Sequence, residues 1–511
     1  MFKRIFWICF LMLFFAACVR SAPNTSIPTP GGSIWTPGLS NVYPGESTAT
    51  PAFTLLPTRI PGSQILTPTP DLPRISAQIL PGGPQTYIVQ YGDTLGGIST
   101  RFGVGLEALM LVNSLTDPNL LSVGQPLTIP APTVQPPGPG FKIIPDSELV
   151  YGPMSITLDL ESFIQGQRGY LATYMQDVDG ETLNAAQIIR RVSQNYSVNP
   201  RLLLALLEYR SGWVTNPNPD PATLAAPLGI RDGWHDGLYL QLTWTANSLN
   251  RGFYLFREGL ITQWVLADGS VVPIDAGINP GTAGVQYYFS ISAGYSLWIL
   301  DTSTNGMFAT YSRLFGYPFD LAVEPLVPDV LVQPVLQLPF QAGEQWAFTG
   351  GPHGGWDAGS AWAGLDFAPP GDDIGCVSSD AWVTAVADGL ILRTGNGAVI
   401  QDLDGDGYEQ TGWVILYMHI ETRDRVRVGA YLRAGDRIGH PSCEGGISSG
   451  THVHVARRFN GVWVETVGPT AFVMDLWVPS TTGVEYDGYL TRNGVIVEAY
   501  AGNSPINLIQ R

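Results

Sequence analysis

The last third of the chain is cut into short strand-like runs, "AWVTAVADG", "GLILRTG", "GAVIQDLD", "GWVILYMHI" and "RVRVGAYLRAGDRIG", with Gly and Asp turns between them at short intervals. That punctuation points to an antiparallel all-β unit, a sandwich or an open barrel. Into this frame the chain sets His353, His419, His440, His452 and His454, five of its six histidines. Clustering of that kind suggests a metal or catalytic site. Two of them stand one residue apart in "SSGTHVHVARRFNGVWVE", Ser448 to Glu465. Residues i and i+2 of a strand share a face, roughly 6.5–7 Å apart. The two imidazoles could bind one metal together, or one could hold a metal while its neighbour meets a substrate. Two exposed histidines on a half-buried strand are the plainer alternative.

The stretch "WAFTGGPHGGWDAGSAWAGLDFAPP" adds His353 and, thirteen residues on, Asp366; "GWVILYMHIE" adds His419 at the end of an apolar strand. From about Phe340 to Glu465 these residues resemble the lysostaphin-type metallopeptidases, and within them the subgroup of staphylolysin and the β-lytic endopeptidases. Most of the wider family places its first His four residues before the Asp, a position held here by Trp362. The subgroup spaces the two far apart across a Gly/Ser-rich loop, as here, and "CEGGISSGTHVHV" and "NGVW" match it too. The resemblance implies that His353, Asp366 and His454 bind one zinc ion. It leaves His452 and His419 free to act on the substrate. Two imidazoles and a carboxylate suit tetrahedral zinc and leave a fourth position for water. No HExxH glutamate exists, so the two histidines would carry proton transfer as general base and acid, or stabilise the oxyanion. His440, outside the motif, is expected at the surface or behind the ligands.

Cysteine usage fits an exported protein. Of four cysteines, Cys9 lies in the N-terminal segment "MFKRIFWICFLMLFFAAC" and Cys18 ends it. Lys3 and Arg4 open that segment, and the run Ile5 to Ala17 is short for a membrane span. Its end resembles a bacterial lipobox, although Phe15 stands where Leu is usual, so residues 1–18 read as a lipoprotein signal with Cys18 lipidated. Export would leave the protein anchored on the outer face of the cytoplasmic membrane. Cys376 and Cys443 remain, and exported thiols tend to pair; the subgroup's disulfide also falls on them. A net charge of −17 argues against nucleic acid as a partner. Nothing speaks to oligomeric state.

Residues 19–84, rich in Pro, Thr, Ser and Gly, read as a disordered tether reaching on the order of 200 Å if extended. Residues 85–131 resemble a βααβ LysM module through "YIVQYGDTL", "RFGV", "LMLVNSLTDPN" and "VGQPLTIP". The resemblance implies binding of N-acetylglucosamine-containing glycans in a groove at Gly92, Asp93, Thr94, Asn119, Leu120 and Leu121. Thr94 is a plausible N-cap. After a linker at 132–140, residues 141–328 read as mainly α. There "VNPRLLLALLEYRSGW" and "GLYLQL" are similar to the core of lytic transglycosylases and related lysozymes. That family sets a catalytic Glu before the Ser-Gly; Arg210 stands there and cannot release a proton at neutral pH. Glu208 would face elsewhere, so this domain is expected to be inactive as a glycosidase.

Residues 329–511 are then the peptidase domain with a β extension. In "DLDGDGYE", Asp402, Asp404 and Asp406 have the 1,3,5 spacing of a calcium loop, but Trp413 occupies the position of its bidentate Glu. The expectation for the whole chain is a zinc endopeptidase acting on peptidoglycan, with glycan held by the LysM module. The alternative is a scaffold that binds peptidoglycan without cutting it.

Overall fold

The computed structural model describes residues 84–90, 93–102, 104–131, 133–371 and 375–511. The signal segment with Cys18, nearly all of the tether, and Gly92 lie outside them. No helix among the described residues is long and apolar enough to cross a membrane.

In the first unit, strand Gln85–Ile88 pairs antiparallel with Pro126–Ile129, and between them run α1 (Leu95–Phe102) and α2 (Leu106–Val112). Leu95, Ile98, Leu109, Leu127 and Ile129 form its core. The Thr94 hydroxyl accepts the Gly97 N–H at 3.0 Å and so satisfies one orphan donor of α1.

The second unit is built on helices α3 (Leu160–Gln167), α4 (Ala185–Tyr196), α5 (Pro200–Ser211), α6 (Leu238–Arg257), α7 (Pro280–Ser290), α8 (Tyr295–Asp301) and α9 (Met307–Phe315). Asn184 and Gln187 close a capping box at the start of α4. Asn199 caps α5, Pro200 fixes its first turn, and Gly212 ends it at φ 68°. Leu202 to Leu207 are buried on every side of α5, so it is a core helix.

The C-terminal unit is dominated by a nine-stranded antiparallel sheet. Its path runs Tyr431–Leu432, Gly389–Gly395, Ala398–Asp402, Trp413–Met418, Val453–Phe459, Gly364–Ala368, Gln345–His353 and Leu508–Gln510, with Val462–Trp463 paired beside Val453–Phe459. A three-stranded sheet (Val478–Thr481, Gly488–Arg492, Val495–Glu498) follows in the extension. The Cys376–Cys443 disulfide ties the loop before Val383 to the loop that precedes Val453.

Both faces of the large sheet are covered. Leu365, Val399, Ile415, Tyr417, Val453 and Val455 pack into one core with Phe340 and Trp346. The alternate residues Ala398, Ile400, Leu416, Met418 and Ala456 join the core of the helical unit, with Val192, Leu249 and Phe253. Double coverage explains why "GWVILYM" is continuously apolar rather than alternating. The seam is also hydrogen-bonded: the Trp463 N–H donates to the Tyr254 hydroxyl at 2.9 Å, and the Gly359 N–H to Asn247 Oδ1 at 2.7 Å. Trp463 is 2% exposed. Trp463→Ala is therefore expected to cost about 3 kcal/mol or more, read as a lowered denaturant midpoint; an unchanged midpoint would refute a shared core.

Candidate metal centre

Three neighbouring strands bring three donor groups to one point. His353 ends Gln345–His353, Asp366 is central in Gly364–Ala368, and His454 lies on Val453–Phe459 opposite Asp366 in the ladder. His353 Nε2 is 2.9 Å from His454 Nδ1 and 3.2 Å from Asp366 Oδ1, and His454 Nδ1 is 3.0 Å from the same oxygen. Adjacent corners of a tetrahedron around zinc, at bond lengths near 2 Å, are about 3.3 Å apart. The three donors thus fit a single ion.

Backbone carbonyls set the tautomers. His353 Nδ1–H donates to Gly351 O at 2.7 Å and His454 Nε2–H to Gly355 O at 3.1 Å, so each ring aims a lone pair at the common point. Burial alone would raise the Asp366 pKa. The neighbouring His353 and His452 rings and the hydrogen bonds from His353 and His454 instead hold it well below the usual carboxylate range, and it stays ionised. Burial depresses His454, keeping it neutral and able to ligate. On His353 burial also acts downward, but the Asp366 carboxylate overrides it and the pKa ends raised.

The strand at Gly364 has no room for a side chain: a Cβ there would lie 2.2 Å from His454 Cε1. Gly364→Ala should displace that ring and weaken metal binding by about 10–100-fold, read by competition with a chromogenic chelator. Unchanged affinity would show that His454 is not a ligand.

The two remaining histidines of the motif stand beside this triangle. The His419 and His452 rings are 4.4 Å apart, and His452 Nε2 is 3.8 Å from Asp366 Oδ2. His452 Nδ1–H donates to Gly450 O at 2.8 Å and His419 Nδ1–H to Glu444 O at 3.2 Å. Each Nε2 is left with its lone pair. Burial, helped by His452 and His454, pushes His419 down to about 3, so it is neutral at pH 7. His419 holds φ 65°, a strained backbone for a non-glycine residue, at the point where the chain leaves its strand.

One neighbour was not anticipated. Tyr486, from the extension to which the sequence lent no role, stacks on His353 with ring centroids 4.2 Å apart. Its N–H donates to Pro352 O at 3.1 Å and its carbonyl accepts the Gly351 N–H at 2.8 Å. The only local signal was a tyrosine inside the turn "GVEYDG". His440 is not at the surface: it is 3% exposed and donates to Ala381 O at 2.8 Å, away from the donor triangle.

The other candidates fall elsewhere. Asp402, Asp404 and Asp406 do converge. Their oxygens already accept bonds, Asp402 from the N–H groups of Asp404, Gly405 and Gly407, and Asp406 from Tyr408 N–H and the Thr411 hydroxyl. Burial and the flanking carboxylates raise Asp404 to about 7. In the first unit, Asp93 accepts from the Tyr87 hydroxyl at 2.6 Å; Asn119 and Leu120 are exposed and Leu121 half-buried. In the helical unit the Glu208 carboxylate is taken up by Thr215 and Arg313, and the Arg210 guanidinium lies over the Phe289 ring.

An antiparallel sheet presenting two imidazoles and a carboxylate at one point, with two further imidazoles alongside, defines a metallopeptidase-type centre. Residues 142–326 match the family model "LasA, N-terminal domain", and residues 87–130 the model "LysM domain". Protease LasA of Pseudomonas aeruginosa is 26% identical over 343 residues, spanning 63% of this chain and 75% of that protein. N-acetylmuramoyl-L-alanine amidase XlyA of Bacillus subtilis is 50% identical over 52 residues, 10% of this chain and 18% of its own. Among solved structures, pseudoalterin, a deep-sea M23 metalloprotease, aligns at 25% identity over 35% of this chain and 99% of its own, with a TM-score of 0.29. The catalytic domain of lysostaphin from Staphylococcus simulans aligns at 25% identity, 24% and 87% coverage, and TM-score 0.18. The chain is a homologue of LasA that also carries a LysM domain.

Proposed function

We propose that the chain is an exported zinc endopeptidase that hydrolyses peptide bonds in peptidoglycan. The convergence of His353 Nε2, Asp366 Oδ1 and His454 Nδ1 within 3.2 Å of one another carries the proposal. The similarity to a protein named protease LasA supports the reaction class. The LysM match supports glycan as what the chain grips through the loops at 92–94 and 119–121. A weak grip on an insoluble polymer raises the local concentration of bonds to cut.

In this reading His353, Asp366 and His454 hold the ion. Zinc bound there supplies Lewis acidity, polarising the scissile carbonyl and acidifying the attacking water. His452 and His419 do the rest. One Nε2, starting with a free lone pair, takes the proton of the attacking water, and the imidazolium so formed returns that proton to the leaving amine, with the second ring beside it, centroids 4.4 Å apart. The carbonyls of Gly450 and Glu444 keep both rings turned so that those nitrogens face the reaction. Tyr486 braces the His353 ring. The helical domain is read as a lysozyme-like relative without glycosidase activity, since Arg210 cannot serve as an acid and Glu208 is already bonded.

Muropeptide mass spectrometry on several peptidoglycan chemotypes, with and without chelator, tests the proposal. Chelator-sensitive peptide cuts support it; anhydro-muramyl products would move the activity to the helical domain; no cut on any substrate would leave the scaffold. Two finer elements have their own tests. Lipidation at Cys18 predicts palmitate labelling lost in Cys18→Ser. Calcium at Asp402, Asp404 and Asp406 would relieve the crowding that raises Asp404, and terbium luminescence absent at that loop would dismiss it.

A further inference from the structure

The three converging donors and the two imidazoles beside them are held in different ways. His353, Asp366 and His454 lie within paired strands, and His454 stands opposite Met418 on one side and Asp366 on the other. His419 and His452 each stand one residue outside a strand. His419 follows Met418, the last residue of Trp413–Met418, and His452 precedes Val453, the first of Val453–Phe459. Loop segments therefore hold them, and the Cys376–Cys443 disulfide joins those segments.

On the Cys443 side, Ser442 directs both its N–H and its hydroxyl to His419 O, at 2.7 and 2.9 Å. Its Oγ accepts the Glu444 N–H at 3.0 Å, and Glu444 O in turn accepts His419 Nδ1–H. The Ser442 carbonyl accepts the His452 N–H at 3.3 Å. On the Cys376 side, the Gly375 carbonyl accepts the Thr451 N–H at 3.0 Å and the Val377 carbonyl accepts the Thr451 hydroxyl at 2.5 Å. The Val377 N–H donates to the same hydroxyl at 2.9 Å. Thr451 immediately precedes His452. The residues flanking one sulfur thus clamp His419, and those flanking the other clamp the neighbour of His452. Cys376 is exposed and Cys443 half-buried, so a small reductant can reach the bond.

We propose that the Cys376–Cys443 disulfide is a positioning device for the His419 and His452 pair, and that its redox state sets turnover without setting metal binding. The proposal rests on the peptidase reading for what the two rings do. A loop freed from its crosslink opens locally at little cost to the ladder beside it. A displacement of about 1 Å in a proton-transfer group costs about a hundredfold in rate. The donor triangle, bound into the ladder, keeps its geometry. A chain held in a reducing compartment would then carry its ion and yet turn over slowly.

The test reduces the full, zinc-loaded chain with a water-soluble trialkylphosphine, which brings no chelating thiols of its own. The phosphorus gives up an electron pair and takes oxygen from water; the S–S bond breaks, and the two sulfurs take that pair and water's two protons as thiols. Hydrogen exchange read by mass spectrometry should quicken about tenfold at the amides of Ser442, Glu444, Thr451 and His452, and stay unchanged in Trp413–Met418 and Val453–Phe459. Zinc content should hold, while kcat on solubilised peptidoglycan fragments falls about a hundredfold at a KM within about twofold. Cys376→Ser/Cys443→Ser should show the same pattern without reductant and no further response to it. Unchanged exchange at the four amides, exchange quickened throughout the sheet, loss of zinc, or an unchanged kcat in the reduced chain would overturn the proposal. The exchange and zinc readouts need no cleavage. If the oxidised chain cuts nothing, the peptidase reading falls, and exchange confined to the loops still establishes the crosslink as the support of the two rings.

Discussion

Asp366→Ala is expected to empty the metal centre and reduce peptidoglycan cleavage by about a thousandfold or more. The carboxylate is 7% exposed and its Oδ1 lies within 3.2 Å of His353 Nε2 and His454 Nδ1. Removing it deletes one of three converging donors and a negative charge at the point where they meet. His353 would lose the partner that raises its pKa and, being buried, would stay neutral. The variant should retain its fold, because Asp366 contributes no apolar surface to the sheet core. Metal content by plasma mass spectrometry and muropeptide release are the paired readouts. Full zinc occupancy with full activity would remove Asp366 from the ligand set.

His452→Ala should leave the metal in place and still lower kcat by about 10²–10⁴-fold. The residue stands beside the donor triangle: its Nε2 is 3.8 Å from Asp366 Oδ2, and its Nδ1 is committed to Gly450. A general acid or base removed from an intact centre reduces kcat while KM changes little. His419→Ala should behave in the same way. If either variant loses zinc in proportion to activity, the division between holding and proton transfer is wrong. If neither changes kcat, the two rings are bystanders.

Much of this site was legible because its residues lie on a strand whose period is two. His452 and His454 had to share a face, and the ladder then set Asp366 opposite His454. The apolar run ahead of His419 marked the neighbouring strand. What could not be read was anything decided by packing between distant segments. Tyr486 reaches His353 only because the C-terminal strands fold back over the edge of the sheet. The burial of both faces is likewise invisible in "GWVILYM", since a run apolar at every position does not say what covers it. The Asp402 loop shows the opposite failing: a cation-like spacing is also what a tight turn uses to satisfy its own N–H groups.

The apolar layer common to α4, α6 and the sheet bears on how such a chain could be processed. A protease nicking the connection near residue 328 would sever one covalent bond and leave Ala398, Leu416, Ala456 and Trp463 pressed against their helical partners. The two fragments would migrate together, so cutting and release are separate events, and only a force able to pry that contact open would set the C-terminal unit loose.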